Sequence, residues 1–190
     1  MNLPQPQALH AQLLARAGTL LVVRQPVAPP PPAPGQPGTA SDYVQSTPEI
    51  FVALLADEAA PQGWRALAFN GHVDLGTGIR TALAQIVAEE LEVPLARLEM
   101  VLGHTAAAPN QGPTIASASI QISAVPLRRA AAQAREQLLA LAAQRWSVAA
   151  DQLQACEGKV RFANQSDGSD ARELGYGELL RGRQLQLTLA

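Results

Sequence analysis

The chain has 190 residues and a formal net charge of −2, from 14 basic and 16 acidic side chains. That length fits one domain or one plus appendages, and an apolar share of 47% is enough to build a core. The mild acidity argues against a nucleic-acid partner, the single cysteine, Cys156, excludes a disulfide scaffold or a multi-cysteine zinc site, and no apolar run reaches the roughly 18–20 residues of a membrane span.

Residues 1–25 read as a short helix with Leu9, Leu13 and Leu14 on one side, followed by an apolar run at 17–23. That run is the size of a signal h-region, with only Arg16 close before it and no clean cleavage site after it, so it reads as a degenerate or absent signal. The compartment expected is cytoplasmic, or periplasmic if this N-terminus exports. From Pro26 to Pro37 there are seven prolines in twelve residues. Proline fixes φ and removes amide donors, so 26–46 reads as an extended linker, and the compact domain is expected over 47–190.

Within that domain, 50–56 and 64–69 read as antiparallel strands joined across the polar turn 57–63. Asn70-Gly71 and Gly76-Thr77-Gly78 mark breaks. Ile79, Leu83, Ile86, Val87 and Leu91 share one helical face, so a helix is predicted over 79–91 and stopped at Val93-Pro94. Residues 97–103 read as a strand and 104–114 as a loop. A long helix follows, with Leu127, Ala131, Ala134, Leu138 and Leu141 at 3–4 spacing. It starts at Ser117 with a kink at Pro126, or else holds Pro126 in its first turn, where the missing amide is harmless. Two short strands around Glu157-Gly158 and a helical turn at 175–180 complete the chain. The order is not that of a doubly wound fold. It predicts an α+β two-layer domain, a mixed sheet with its two main helices on one face. Alanine fills 36 positions and aromatic residues seven, which suits close helix packing.

Two segments place small residues just before a helix, where the first amides lack intrahelical partners and the dipole favours an anion. One is Asp74-Leu75-Gly76-Thr77-Gly78. Its alternative is a turn that needs φ > 0, with Thr77 as N-cap. The other is 111–119, where Thr114, Ser117 and Ser119 set hydroxyls beside free amides; its alternative is ordinary helix capping. Weaker candidates read more simply as structure. Asp57, Glu58, Glu89 and Glu90 suit turns or the solvent face, Arg80 an exposed helix position, and His104 the surface. His72 lies near the glycine turn without an evident partner, and Cys156 has no basic neighbour to activate it.

In order, Gly71-His72-Val73-Asp74-Leu75-Gly76-Thr77-Gly78 with the helix to Leu91, then 101–105, 109–112, 114–120, Pro126-Leu127-Arg128 and 176–179, resemble the molybdenum hydroxylases, the xanthine dehydrogenase and aldehyde oxidase family. The branch resembled is that of the molybdopterin-binding large subunits of isoquinoline 1-oxidoreductase and nicotinate dehydrogenase. The resemblance implies a molybdopterin cofactor, in the cytosine dinucleotide form, whose dithiolene holds the metal without protein ligands. It places Gly76, Thr77 and Gly78 near the pterin and gives Thr114, Ser117, Ala118 and Ser119 the phosphate or neighbouring parts. The chain departs from the family pattern where Thr77 replaces glutamine, Asp74 glutamate, His104 aspartate and Ala116 glycine. It corresponds to an N-terminal domain and carries nothing to play the family's catalytic glutamate. The expectation is therefore a cofactor-binding fragment or split subunit of an oxidoreductase that hydroxylates N-heterocycles or aldehydes, inactive alone. Its expected partners are the remaining segments of the molybdenum subunit and an iron–sulfur subunit. The alternative is a non-catalytic interaction or assembly module that kept the fold and lost the cofactor. A solitary domain of this kind should expose an apolar patch and self-associate.

Overall fold

The computed structural model describes residues 6–26, 47–164 and 172–190. All but the first residue of the expected 26–46 linker lies outside them. A mixed five-stranded sheet runs in the order β4-β3-β2-β1-β8, with β1 Thr19–Arg24, β2 Glu49–Ala56, β3 Trp64–Asn70, β4 Leu98–Leu102 and β8 Gln184–Thr188. β2 pairs antiparallel with both β1 and β3, whereas β1 with β8 and β3 with β4 are parallel pairs. The helices α2 (Ile79–Leu91) and α3 (Ala124–Trp146) pack on one face. Leu83, Val87, Leu127, Ala131, Ala134 and Leu138 meet Leu20, Val22, Val52, Leu54, Ala66 and Ala68 there. Alanine along α3 lets the helix lie close on the sheet, which is the packing the composition favours.

The apolar run at 17–23, read above as a signal-like segment ahead of the compact domain, corrects to a strand. Residues 19–24 form β1, between β2 and β8. Both of its faces are buried, so it carries no polar alternation to mark it as a strand. Leu20 and Val22 face the main helices; Leu21 and Val23 join Leu67, Phe69 and the first helix, α1 (Pro6–Ala15), on the opposite face. α1 covers that second face through Leu9 and Leu13, with Leu14 packed alongside.

The C-terminal part holds more than the two short strands and helical turn expected of it. A small antiparallel sheet, β5 (Leu153–Cys156), β6 (Lys159–Phe162) and β7 (Glu173–Gly175), follows α3. Glu157 and Gly158, at φ 51° and 77°, form the two-residue turn between β5 and β6, a conformation that suits glycine and the strand twist. Gly158 also lies against Trp64: a Cβ there would sit 2.0 Å from the indole. The short helix α4 (Tyr176–Leu180) then leads to β8. The buried Tyr176 hydroxyl donates to the Leu91 carbonyl at 2.7 Å, and burial pushes its pKa above the usual phenol range. This contact ties the C-terminal segment to the end of α2. No helix of the described residues is long and apolar enough to cross a membrane.

Candidate functional site

The unit β3-α2-β4 sets the site. Because β3 and β4 are parallel neighbours, the loops leaving their C-terminal ends emerge side by side, the usual place for a ligand crevice beside parallel strands. Those loops are 71–78 and 103–118. They are close enough that a Cβ on Gly71 would fall 2.2 Å from the Pro109 carbonyl oxygen, and one on Gly103 2.2 Å from the Val73 side chain.

Side-chain amides and hydroxyls join the loops. The Gly71 amide donates to Gln111 Oε1 at 2.8 Å, and Gln111 Nε2 donates to the Ser123 carbonyl at 2.7 Å. Asn70 Nδ2 reaches the same carbonyl at 3.1 Å, while Asn70 Oδ1 accepts the His72 amide at 3.0 Å. The Val73 amide donates to Thr114 Oγ1 at 3.0 Å, and His72 Nδ1 lies 2.8 Å from Ser119 Oγ. Asn70, His72 and Ser123 are buried, so each bond stands in for water that cannot reach it. Sequence reasoning missed this network. Asn70 read only as a strand breaker and His72 as a residue without a partner; the partner is 47 positions away.

The long helix begins in a way that reconciles the two starts considered above. A wide π-turn spans Ser119–Ser123, and α3 proper starts at Ala124 with Pro126 in its first turn. Proline lacks the amide that a regular turn would need there, and π-turns are frequent at functional sites.

The two candidate anion segments behave differently. Along 74–80 three amides are already taken. Asp74 Oδ1 accepts from Gly76 and Thr77 at 2.9 and 3.0 Å, and Oδ2 from Arg80 at 3.2 Å. These amide bonds, Arg80's foremost, hold the Asp74 carboxyl below its ordinary value. The expectation of free amides at this helix start is therefore corrected: the chain's own carboxylate fills the place. Gly76 and Gly78, at φ 88° and 75°, have open space where a Cβ would go, so backbone conformation alone requires glycine. Gly78, not Thr77, is the capping residue, and it makes no side-chain cap bond. Arg80 turns its guanidinium to the Met100 carbonyl.

At 114–119, Thr114 and Ser119 are engaged in joining the loops, but Ser117 is exposed, and among the described residues its hydroxyl and amide and the Ala116 amide donate to nothing in the chain. Ala116 and Ser117 take left-handed backbone at φ 52° and 55°, a conformation costing about 1–2 kcal/mol for a residue with a Cβ. Ala118 begins the turn into the π-turn. Thr77, Thr114, Ala116, Ser117 and Ser119 line one open groove of about 540 Å³. Its lining holds hydroxyls, amides and apolar side chains and no carboxylate, so its donors fit a phosphate-bearing group although no basic side chain lies among them. Of the seven exposed large apolar side chains among the described residues, six, Val73, Leu75, Ile115, Ile120, Ile122 and Val125, belong to these two loops and the helix start beside them; the seventh, Leu95, lies after α2.

His104 bonds the Ala106 amide in its own turn, and Cys156 is a free, part-buried thiol on β5. Asp57 pairs with Arg65 at 3.3 Å and Glu90 with Arg128 at 2.6 Å. None of these lines the groove.

An α+β domain with a donor-lined groove beside parallel strand ends is a common setting for a bound cofactor or nucleotide. The comparisons with known proteins make this specific. The family model described as molybdopterin cofactor-binding domain matches residues 61–188. The chain is 46% identical over 190 residues to a nicotinate dehydrogenase subunit of Pseudomonas putida, covering all of this chain and 15% of that protein. It is 34% identical over 164 residues to the beta subunit of isoquinoline 1-oxidoreductase of Brevundimonas diminuta, covering 78% of this chain and 20% of that protein. The fold is shared with CO dehydrogenase of Oligotropha carboxidovorans, at a TM-score of 0.54 and 22% identity over 85% of this chain and 18% of that one. The chain belongs to the molybdopterin cofactor-binding domain family of molybdenum hydroxylase-type oxidoreductases. It spans about a fifth or less of the length of the curated relatives it matches.

Proposed function

We propose that this chain holds the phosphate-bearing end of a molybdopterin cytosine dinucleotide for an enzyme that hydroxylates an N-heterocycle. The observation that carries the reading is the 114–119 loop, whose unpaired Ala116 and Ser117 amides and Ser117 hydroxyl face an open groove. Thr114 and Ser119, which line the same groove, tie the loop to Val73 and His72. When bound, the cofactor supplies the oxygen- and electron-transfer chemistry; the chain binds and orients it. Thr77 also lines the groove; in this reading it and its neighbours Gly76 and Gly78 border the pterin, while Asp74 holds the backbone of Gly76 and Thr77. Names of two relatives, nicotinate dehydrogenase and isoquinoline 1-oxidoreductase, support an N-heterocyclic substrate over an aldehyde.

The apolar rim around the groove supports a second element of the proposal. Leu75, Ile115 and Ile122, at 71%, 63% and 68% exposure, are side chains that a water-facing surface does not favour together. In this reading the remaining segments of the molybdenum subunit cover them, an iron–sulfur subunit takes the electrons, and the chain alone is inactive and self-associates. The test is to purify the protein from its own host and count molybdenum and cytosine nucleotide per chain. Near-stoichiometric amounts of both support the reading. Their absence, from cells that load other molybdenum enzymes, refutes it.

One observation favours a second reading, a module that kept the fold and lost the cofactor. Ala116 carries a Cβ into the groove at a left-handed position, where glycine would be both unstrained and smaller. Molybdenum-free protein that still pairs with the other subunits would support that alternative.

A further inference from the structure

We propose that the open edge of the sheet at β8 is a docking surface for a second copy of this chain, whose own β8 adds antiparallel across a twofold axis at Gln186. This gives the self-association proposed above a surface; it rests on that part of the reading and not on the groove's ligand. β4 and β8 are the two edge strands, and the chain treats them differently. In a parallel ladder the amide and carbonyl of one residue point to the same side and those of the next to the other. Just past β4 the Gly103 amide turns inward to Asn70, so Met100 turns outward, where the Arg80 guanidinium covers its carbonyl. Glu99 adds an exposed charge to that strand. At β8 the Leu189 amide bonds inward to Val23, and the Arg183 carbonyl accepts inward from Thr19, so Gln184, Gln186 and Thr188 turn outward. Gln133 of α3 donates to the Thr188 carbonyl at 2.9 Å and accepts the Ala190 amide. Among the described residues, the amides and carbonyls of Gln184 and Gln186 and the amide of Thr188 have no partner in the chain. No charge, proline or bulge blunts this edge, and such an edge is a template for another strand.

The strand's own pattern selects the occupant. Gln184-Leu185-Gln186-Leu187-Thr188 reads nearly the same in both directions about Gln186. Antiparallel pairing there sets Gln186 opposite the partner's Gln186, and Gln184 opposite the partner's Thr188. All of these turn outward, so each pair can exchange both N–H···O bonds, the Thr188 carbonyl using its second lone pair beside Gln133. Leu185 meets the partner's Leu187 on the face where both already pack against the helix-side core. Glutamine and threonine fill the opposite face, where Gln184 reaches the Leu14 carbonyl. No like charges face each other across the junction. The contact is isologous and closes at two chains. One strand pair covers less than the roughly 800 Å² per partner of a tight complex, so the dimer is weak and depends on concentration.

The test is sedimentation equilibrium of the full chain from micromolar to millimolar concentration. Wild type should pass from monomer to dimer. Gln186→Lys and Gln186→Glu each set like charges directly opposite one another and should each weaken the dimer about fivefold. Mixed in equal amounts, the two variants should regain wild-type strength within about twofold, because residue 186 then faces the opposite charge. Gln186→Pro removes an amide that points out of the sheet, so it should keep the fold and abolish the dimer. Leu75→Gln/Ile122→Gln, in the apolar rim, should leave dimerisation unchanged. In enzyme purified from the host, Gln186→Cys should oxidise to a disulfide between two copies of this chain; a cross-link to any other chain overturns the proposal. A chain that stays monomeric overturns it together with the self-association, while the molybdenum count still decides the cofactor reading. Dimers lost in the rim variant but kept in Gln186→Lys, assemblies larger than two, or charge variants that do not rescue each other overturn the edge contact alone. If Gln186→Pro does not fold, the charge pair carries the same decision.

Discussion

The loops at 74–78 and 111–119 look alike in sequence: each places glycine, serine or threonine before a helix. They differ in what their amides do. Asp74 spreads its two oxygens over three amides of the first loop and the helix start after it, while in the second loop a carboxylate, Glu49, takes only the Asn110 amide ahead of residue 111 and leaves Ala116 and Ser117 unpaired. A helix start is an anion site only when the chain does not bring its own anion, and one acidic residue two to four positions upstream of the turn settles which case holds.

The largest expected effect comes from parting the loops. Gly71→Ala drives a Cβ to 2.2 Å from a backbone oxygen, which neither loop can relieve by rotating a side chain. We expect about 3 kcal/mol of lost stability, read as a fall in the urea midpoint, with loss of ordered amide signals from both loops. Unchanged stability would mean that the loops do not meet as described.

Next in size is an exchange of roles between the loops. Asp74→Ala frees the Gly76, Thr77 and Arg80 amides, so phosphate should stabilise this variant against heat more than it stabilises wild type. Hydrogen exchange at those three amides should quicken. The same carboxylate predicts a pH dependence. Its folded pKa lies below the ordinary 3.8, so its contribution is complete above that value and fades as pH falls through the depressed one. Amide shifts at 76, 77 and 80 should move in acid below pH 3.8, and those at 115–117 should not follow the same curve. An acid transition shared by both loops would erase the distinction between them.

Ala116→Gly removes a Cβ from left-handed backbone and should raise stability by up to about 1 kcal/mol, net of the freedom glycine gains when unfolded. It should also widen the groove, so anion affinity rises with it. Thr77→Ala should be the smallest change, within about 0.5 kcal/mol, since Thr77 is exposed and caps nothing.

Legibility in sequence followed the same physics. The helix at 79–91 carried its period in Ile79, Leu83, Val87 and Leu91, and the structure gives those bounds. β2 and β3 showed as apolar runs separated by a polar turn. β1 did not, because a strand buried on both faces resembles any other apolar run, and here it adjoins a proline-rich stretch. β8 was missed although Gln184-Leu185-Gln186-Leu187-Thr188 alternates strictly, since its partner β1 was not recognised as a strand to pair with. At the site, spacing located both loops but not the bonds between them. Asn70 with Ser123 and His72 with Ser119 are separated by 53 and 47 positions, beyond the reach of local pattern.

The most direct test of the central claim is a titration of the isotope-labelled chain with cytidine diphosphate, followed at each backbone amide. Saturable shifts are expected at 115–119, with Gly76, Thr77 and Arg80 little changed. Shifts centred on 76–80, with 115–119 still, would contradict the claim that the second loop takes the anion.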